Sequence, residues 1–146
     1  MQYTLHISEE LLFQLEDHAE KQLPSEAVAL LFGISSRTDT LVKRIELVKN
    51  ESKHNRISFS VNPETQYALL MDADDHGESM VGIFHSHPAS PCPSTSDYQN
   101  MKLNPVIWII ASRTTGNWVT KAFILEEEVP VEVKIEFTPQ SIDQVP

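Results

Sequence analysis

Two histidines stand two positions apart near the end of an apolar run, in Gly82-Ile83-Phe84-His85-Ser86-His87-Pro88. If that run is a strand, His85 and His87 project from one face and Ser86 from the other. Two imidazoles side by side can chelate one metal ion. A catalytic zinc normally takes three protein ligands and leaves its fourth position to water. Asp97, ten residues beyond His87, is a third donor within reach if the intervening loop folds back. Zinc lowers the pKa of its water towards about 7. Hydrolysis then needs a carboxylate outside the ligand set to take up the proton and pass it on. Glu26 is the candidate, because it breaks the start of the apolar segment "EAVALLFG", where a charged group needs a reason to be.

The elements that must hold these residues follow from pattern. "QYTLHIS" alternates as a strand. Ser8 caps a helix with Glu9 and Glu10 in its first turn and a stripe of Leu11, Leu12, Leu15 and Ala19, ending near Leu23-Pro24. Strands are expected over Glu26–Gly33, in "TLVKRIELV" and in "RISFSVN". Asn62-Pro63 opens a second helix that Gly77 can stop. "SMVGIFHSHP" follows as a strand, then the loop "PASPCP". Ser94 and Asp97 have the spacing of a capping box for a short helix through about Met101. "PVIWIIAS" reads as a central strand. A turn at Thr115-Gly116-Asn117 leads to the strands "WVTKAFIL" and "VEVKIEF". Strands interleaved with three helices predict one α/β domain over residues 1–138, followed by a polar tail over 139–146.

Composition narrows the function. The 146 residues suit a single core, and 11 basic against 21 acidic residues leave a net charge of −10. Such a surface repels phosphate backbones, which argues against nucleic acid. No apolar run is long enough to span a bilayer, and no signal peptide is read at the N-terminus. Cys92 is the single cysteine, so no internal disulfide can form, as suits a reducing cytoplasm.

Taken in order, "PSEAVALLFG", "GIFHSHP" and "PSTSD" resemble the JAMM (MPN-plus) metalloprotease signature. That signature is an upstream Glu, a His-Ser/Thr-His-Pro and a following Ser-x-x-Asp. "FSVNPETQYALL" and "VIWIIAS" resemble the elements that usually flank it, so the likeness covers roughly residues 1–125 and is closest to the short prokaryotic members. The resemblance implies zinc on His85, His87 and Asp97. Glu26 would be general base and then general acid, and Ser94 would hydrogen-bond near the zinc water and help stabilise the tetrahedral intermediate. It implies a curved mixed β-sheet flanked by helices, similar to the cytidine deaminase-like architecture. It further implies hydrolysis after the C-terminal Gly-Gly of a ubiquitin-like modifier, whose thin tail would be expected to add along a sheet edge. One departure is the loop Pro88–Pro93, six residues where the family usually has seven.

Two alternatives stand beside this reading. One is processing of a sulfur-carrier protein's C-terminus, with release of cysteine or a short tail. The other is a noncatalytic MPN-type scaffold, which would not need all of Glu26, His85, His87, Ser94 and Asp97. Cys92 has no paired base and reads as a spectator. The acidic group Asp72, Asp74, Asp75 and Glu78 reads as a solvated helix end. The sequence leaves the oligomeric state open.

Overall fold

A computed structural model of the chain describes residues 1–88, 90–113 and 116–139. Its elements in order are β1 (Thr4–Ser8), α1 (Glu9–Gln22), β2 (Val28–Ser36), β3 (Asp39–Val48), α2 (Pro63–Asp75), β4 (Ser79–His87), α3 (Thr95–Leu103), β5 (Ile107–Ser112), β6 (Val119–Glu126) and β7 (Val129–Thr138). The helix caps fall where the side chains predict. Ser8 Oγ accepts the N–H of Leu11, and Asn62 accepts from Glu64 and Thr65. Gly77 leaves α2 with φ of +72°, a conformation glycine adopts without strain.

The strands hydrogen-bond in the order β1-β3-β2-β4-β5-β6-β7 and close into a barrel, which corrects the expected open curved sheet. Closure comes from the N-terminal strand. β1 pairs in parallel with β3 through Thr4–His6 and with β7 through Thr4–Ser8. Five residues thus join both ends of the sheet, and closure removes edges that would otherwise be left unpaired. β2 and β4, which carry the site, are each flanked by two hydrogen-bonded neighbours, so a substrate tail finds no free edge along these strands.

Both faces of β2, β4 and β5 are covered, which is why their sequences run apolar rather than alternating. Ala29, Leu31, Phe84 and Ile109 turn towards Leu15 and Ala19 of α1, while Leu30, Phe32, Ile83, Trp108 and Ile110 pack with Ala73 of α2 and Met101 of α3. At Gly33, beside the bulge in β2, a Cβ would lie 1.9 Å from the Leu41 carbonyl oxygen, so only glycine lets β2 and β3 approach here.

One predicted strand does not form. Residues 56–62 ("RISFSVN") belong to the loop between β3 and α2, because their backbone groups bond within that loop. β2 also starts two residues later than expected, leaving Glu26 and Ala27 outside the ladder. The predicted turn at Thr115-Gly116-Asn117 lies partly outside the described residues. So does the polar tail beyond Pro139.

Candidate active site

The face that β4 turns towards α3 carries Ile83, then His85, then His87. His85 is fully buried, 5.0 Å from the Phe59 ring and edge-on to Trp108 at 5.8 Å. His87 lies nearer the surface, and its Nδ1 is 3.0 Å from the Ser90 carbonyl. A carbonyl only accepts, so this contact puts the ring proton on Nδ1 and leaves the lone pair of Nε2 free.

Asp97 comes from the first turn of α3, and local geometry fixes it. Its Oδ2 accepts the Ser94 N–H at 2.9 Å while Ser94 Oγ accepts the Asp97 N–H at 3.1 Å, a complete capping box. The same carboxylate faces both imidazoles, with Oδ1 3.2 Å from His85 Nε2 and Oδ2 3.6 Å from His87 Nε2. The carboxylate that completes the cap therefore also faces the two imidazoles, in one orientation. The six-residue loop before Ser94 is long enough to deliver it.

The three donor atoms lie within 4.8 Å of one another. Neither ring nitrogen of His85 has a hydrogen-bond partner among the described residues, although the side chain is wholly buried. A buried imidazole whose polar neighbour, Asp97 Oδ1 at 3.2 Å, makes no aligned hydrogen bond is costly. A metal ion among two nitrogens and a carboxylate oxygen would relieve that cost, and the donor set suits zinc.

Glu26 is the carboxyl beside this cluster. Ser86 N–H donates to the Ala27 carbonyl at 3.0 Å, extending the Val28–His85 register so that Glu26 stands opposite His87 on the ligand face. It is 4% exposed. Burial pushes its carboxyl up to about 7, with His85 opposing that rise and Asp97 adding to it. Asp97 moves the other way. Burial, the largest influence, raises it, but His85, the Ser94 N–H and His87 together outweigh burial and hold it below the ordinary carboxylate range. Two carboxyls pushed apart in this way suit two roles, a charged ligand and a proton carrier. A cavity of about 140 Å³ opens against Glu26 and His87, walled by Leu23, Pro24, Arg56 and Trp118.

All five residues singled out in the sequence meet at this end of the barrel. Two further residues reach the site without a signal in the sequence: Phe59, which walls His85 from a segment expected to be a strand, and Asn50, whose amide reaches the Glu26 backbone. Ser86, between the two histidines, bonds to Ala27. Cys92 is exposed and belongs to no metal-binding group among the described residues.

A cluster of two imidazoles and a carboxylate, with a second buried carboxyl of raised pKa beside it, suits a metal-dependent hydrolase. Comparison with known proteins names the class: the chain belongs to the family of prokaryotic homologs of the JAB domain, whose model matches residues 8–123. It is a JAMM-type metallopeptidase. A desampylase of Pyrococcus furiosus is 37% identical over 112 residues, covering 75% of this chain and 74% of that protein. A desampylase of Haloferax volcanii is 28% identical over 119 residues, covering 77% and 84%. The solution structure of protein DSY2949 from Desulfitobacterium hafniense superposes with a TM-score of 0.79 at 28% identity, covering 92% of each chain. No helix among the described residues is long and apolar enough to cross a membrane.

Proposed function

We propose that the chain is a zinc-dependent isopeptidase that removes a small ubiquitin-like modifier by hydrolysing the bond after its C-terminal Gly-Gly. The observation that carries this reading is the convergence of His85, His87 and Asp97, with the buried His85 ring making no hydrogen bond among the described residues and Glu26 beside them. The two desampylase relatives support the substrate class. His85, His87 and Asp97 would hold zinc, which supplies Lewis acidity that polarises the scissile carbonyl and acidifies water.

The remaining steps belong to the protein. Glu26 takes a proton from water as its oxygen attacks the carbonyl carbon. Glu26 then delivers that proton to the leaving nitrogen as the C–N bond breaks, giving a carboxylate and an amine. A carboxyl balanced near neutrality suits both halves of this exchange. Ser94 Oγ already accepts the Asp97 N–H, so its own proton is free to donate to the oxyanion as charge develops.

The test uses the zinc-loaded protein and small Gly-Gly-tailed proteins, some extended at the tail and some linked to a lysine, with products followed by intact mass spectrometry. Release from lysine by wild type, lost in Glu26→Gln while zinc stays bound, is the expected result. Cleavage of tail extensions alone would replace the reading with carrier processing. If zinc-loaded wild type and Glu26→Gln both cleave nothing, a scaffold is the correct description; if both cleave equally, Glu26 is not the proton carrier.

A further inference from the structure

Glu26 lies outside regular structure, yet every backbone hydrogen-bonding group of Glu26 and Ala27 is engaged. Ala27 and Ser86 face each other where the β2–β4 ladder should continue, and only half of the expected pair is made by backbone. Ser86 N–H donates to the Ala27 carbonyl at 3.0 Å. The return bond, from Ala27 N–H, goes to the Ser86 hydroxyl at 2.7 Å and is buried. A side chain thus replaces a carbonyl at the residue after Glu26.

The Glu26 peptide groups turn instead to the loop between β3 and α2. Glu26 N–H donates to the Asn55 carbonyl at 2.5 Å, and the Glu26 carbonyl accepts from Asn50 Nδ2 at 2.9 Å. Asn50 is also the loop's internal tie. Its Nδ2 donates to the Ser58 carbonyl at 2.9 Å, and its Oδ1 accepts the N–H groups of Ser52 and Ser60, each at 3.0 Å. Phe59, between two of these anchor points, is the residue stacked near His85. One amide therefore holds the loop that walls a ligand and, through the same loop, the backbone of the proton carrier.

We infer that Asn50 and Ser86 are positioning residues for Glu26: their side chains, from opposite sides, hold its backbone so that its carboxyl meets the reacting water and the leaving nitrogen. This rests on the role given to Glu26 above. Misplacing a catalytic group by about 1 Å can cost on the order of 100-fold in rate. His85 and His87 are also held by the pairing of β4 with β5, and Asp97 by the α3 cap, so loss of either tie should act on turnover more than on metal content.

The test compares Asn50→Asp, Ser86→Ala and Ser86→Thr with wild type. Asn50→Asp is isosteric and keeps the acceptor used by Ser52 and Ser60 but loses the donor to Glu26 and to Ser58. Ser86→Thr keeps the hydroxyl. Expected are kcat values about 10- to 100-fold lower for Asn50→Asp and Ser86→Ala, KM within about twofold, full zinc content, and recovery of kcat in Ser86→Thr. Residue-resolved amide exchange on the metal-free protein gives a readout independent of turnover. The Ala27 amide should lose protection in Ser86→Ala and regain it in Ser86→Thr. Unchanged kcat with unchanged exchange overturns the inference, as does a fall in kcat that tracks loss of zinc. Should Ser86→Ala not fold, Asn50→Asp decides by the same criteria. If wild type cleaves nothing, the functional reading fails, while the exchange measurements still judge whether the two side chains hold this backbone.

Discussion

Asp97 and Glu26 are carboxyls at the same site, built in opposite ways. Asp97 is held by a residue three positions away, through a capping box that any helix start can form. Glu26 is held through Asn50, 24 residues on, and through the contact of Ser86 with Ala27, 59 residues apart. The local device orients the proposed ligand, whose carboxyl sits below the ordinary range. The long-range device holds the proposed proton carrier, whose carboxyl rises to about 7. Both are buried, and the difference lies in the neighbours: two imidazoles and a backbone N–H offset the burial of Asp97, while at Glu26 burial prevails.

The contrast can be broken first at Asp97. Asp97→Asn removes the ligand set's only negative charge, so zinc content after dialysis should collapse and activity fall by roughly 1,000-fold or more, checked by metal analysis alongside turnover. Next comes pH. On the proposed mechanism Glu26 must be ionised to accept the proton of water, so kcat/KM should climb about tenfold per pH unit below about 7 and level off above it. A profile flat from pH 5 to 8 would remove Glu26 from the role of base.

Ser94 separates capping from chemistry. Glycine is tolerated at an N-cap at a cost of only a few tenths of a kcal/mol, so Ser94→Gly should barely change the melting temperature. Losing the hydroxyl donor should still lower kcat by roughly 10- to 100-fold. Equal losses of stability and activity would mean that Ser94 acts through the helix alone.

The smallest effect is on stability. In the unfolded chain Glu26 ionises near its ordinary value of 4.5, and in the fold only near 7. Between those values the folded state binds more protons, so its stability declines as pH rises, and the whole penalty is present above 7. Metal-free Glu26→Gln should therefore be more stable than metal-free wild type at pH 8, by on the order of 1–3 kcal/mol, and the gain should vanish below about pH 4.5. Denaturant melts at the two pH values check both sign and window.

Much of this site is legible from spacing because spacing is what its local parts use. An i, i+2 pair on a strand puts His85 and His87 on one face whatever surrounds it, and Ser94-x-x-Asp97 caps a helix by local geometry. The caps at Ser8 and Asn62 and the runs of β4 and β5 are readable for the same reason. The segment 56–62 misleads because its β-branched and aromatic residues look like a strand while Asn50 and its neighbours claim its backbone.

Barrel closure, the meeting of Asp97 with the histidines, and the clamp on Glu26 were decided only in three dimensions. Each depends on contacts between residues that no local pattern joins, from ten positions apart for His87 and Asp97 to 59 for Ala27 and Ser86. Five residues of β1 do not announce that they will pair on both sides, nor does an asparagine after β3 announce that it will reach the carbonyl of Glu26. Residue types and short spacings fixed which groups could do the chemistry. Long-range packing buries both, and the neighbours it supplies set them apart: His85, His87 and the Ser94 N–H hold Asp97 charged, while at Glu26 burial prevails.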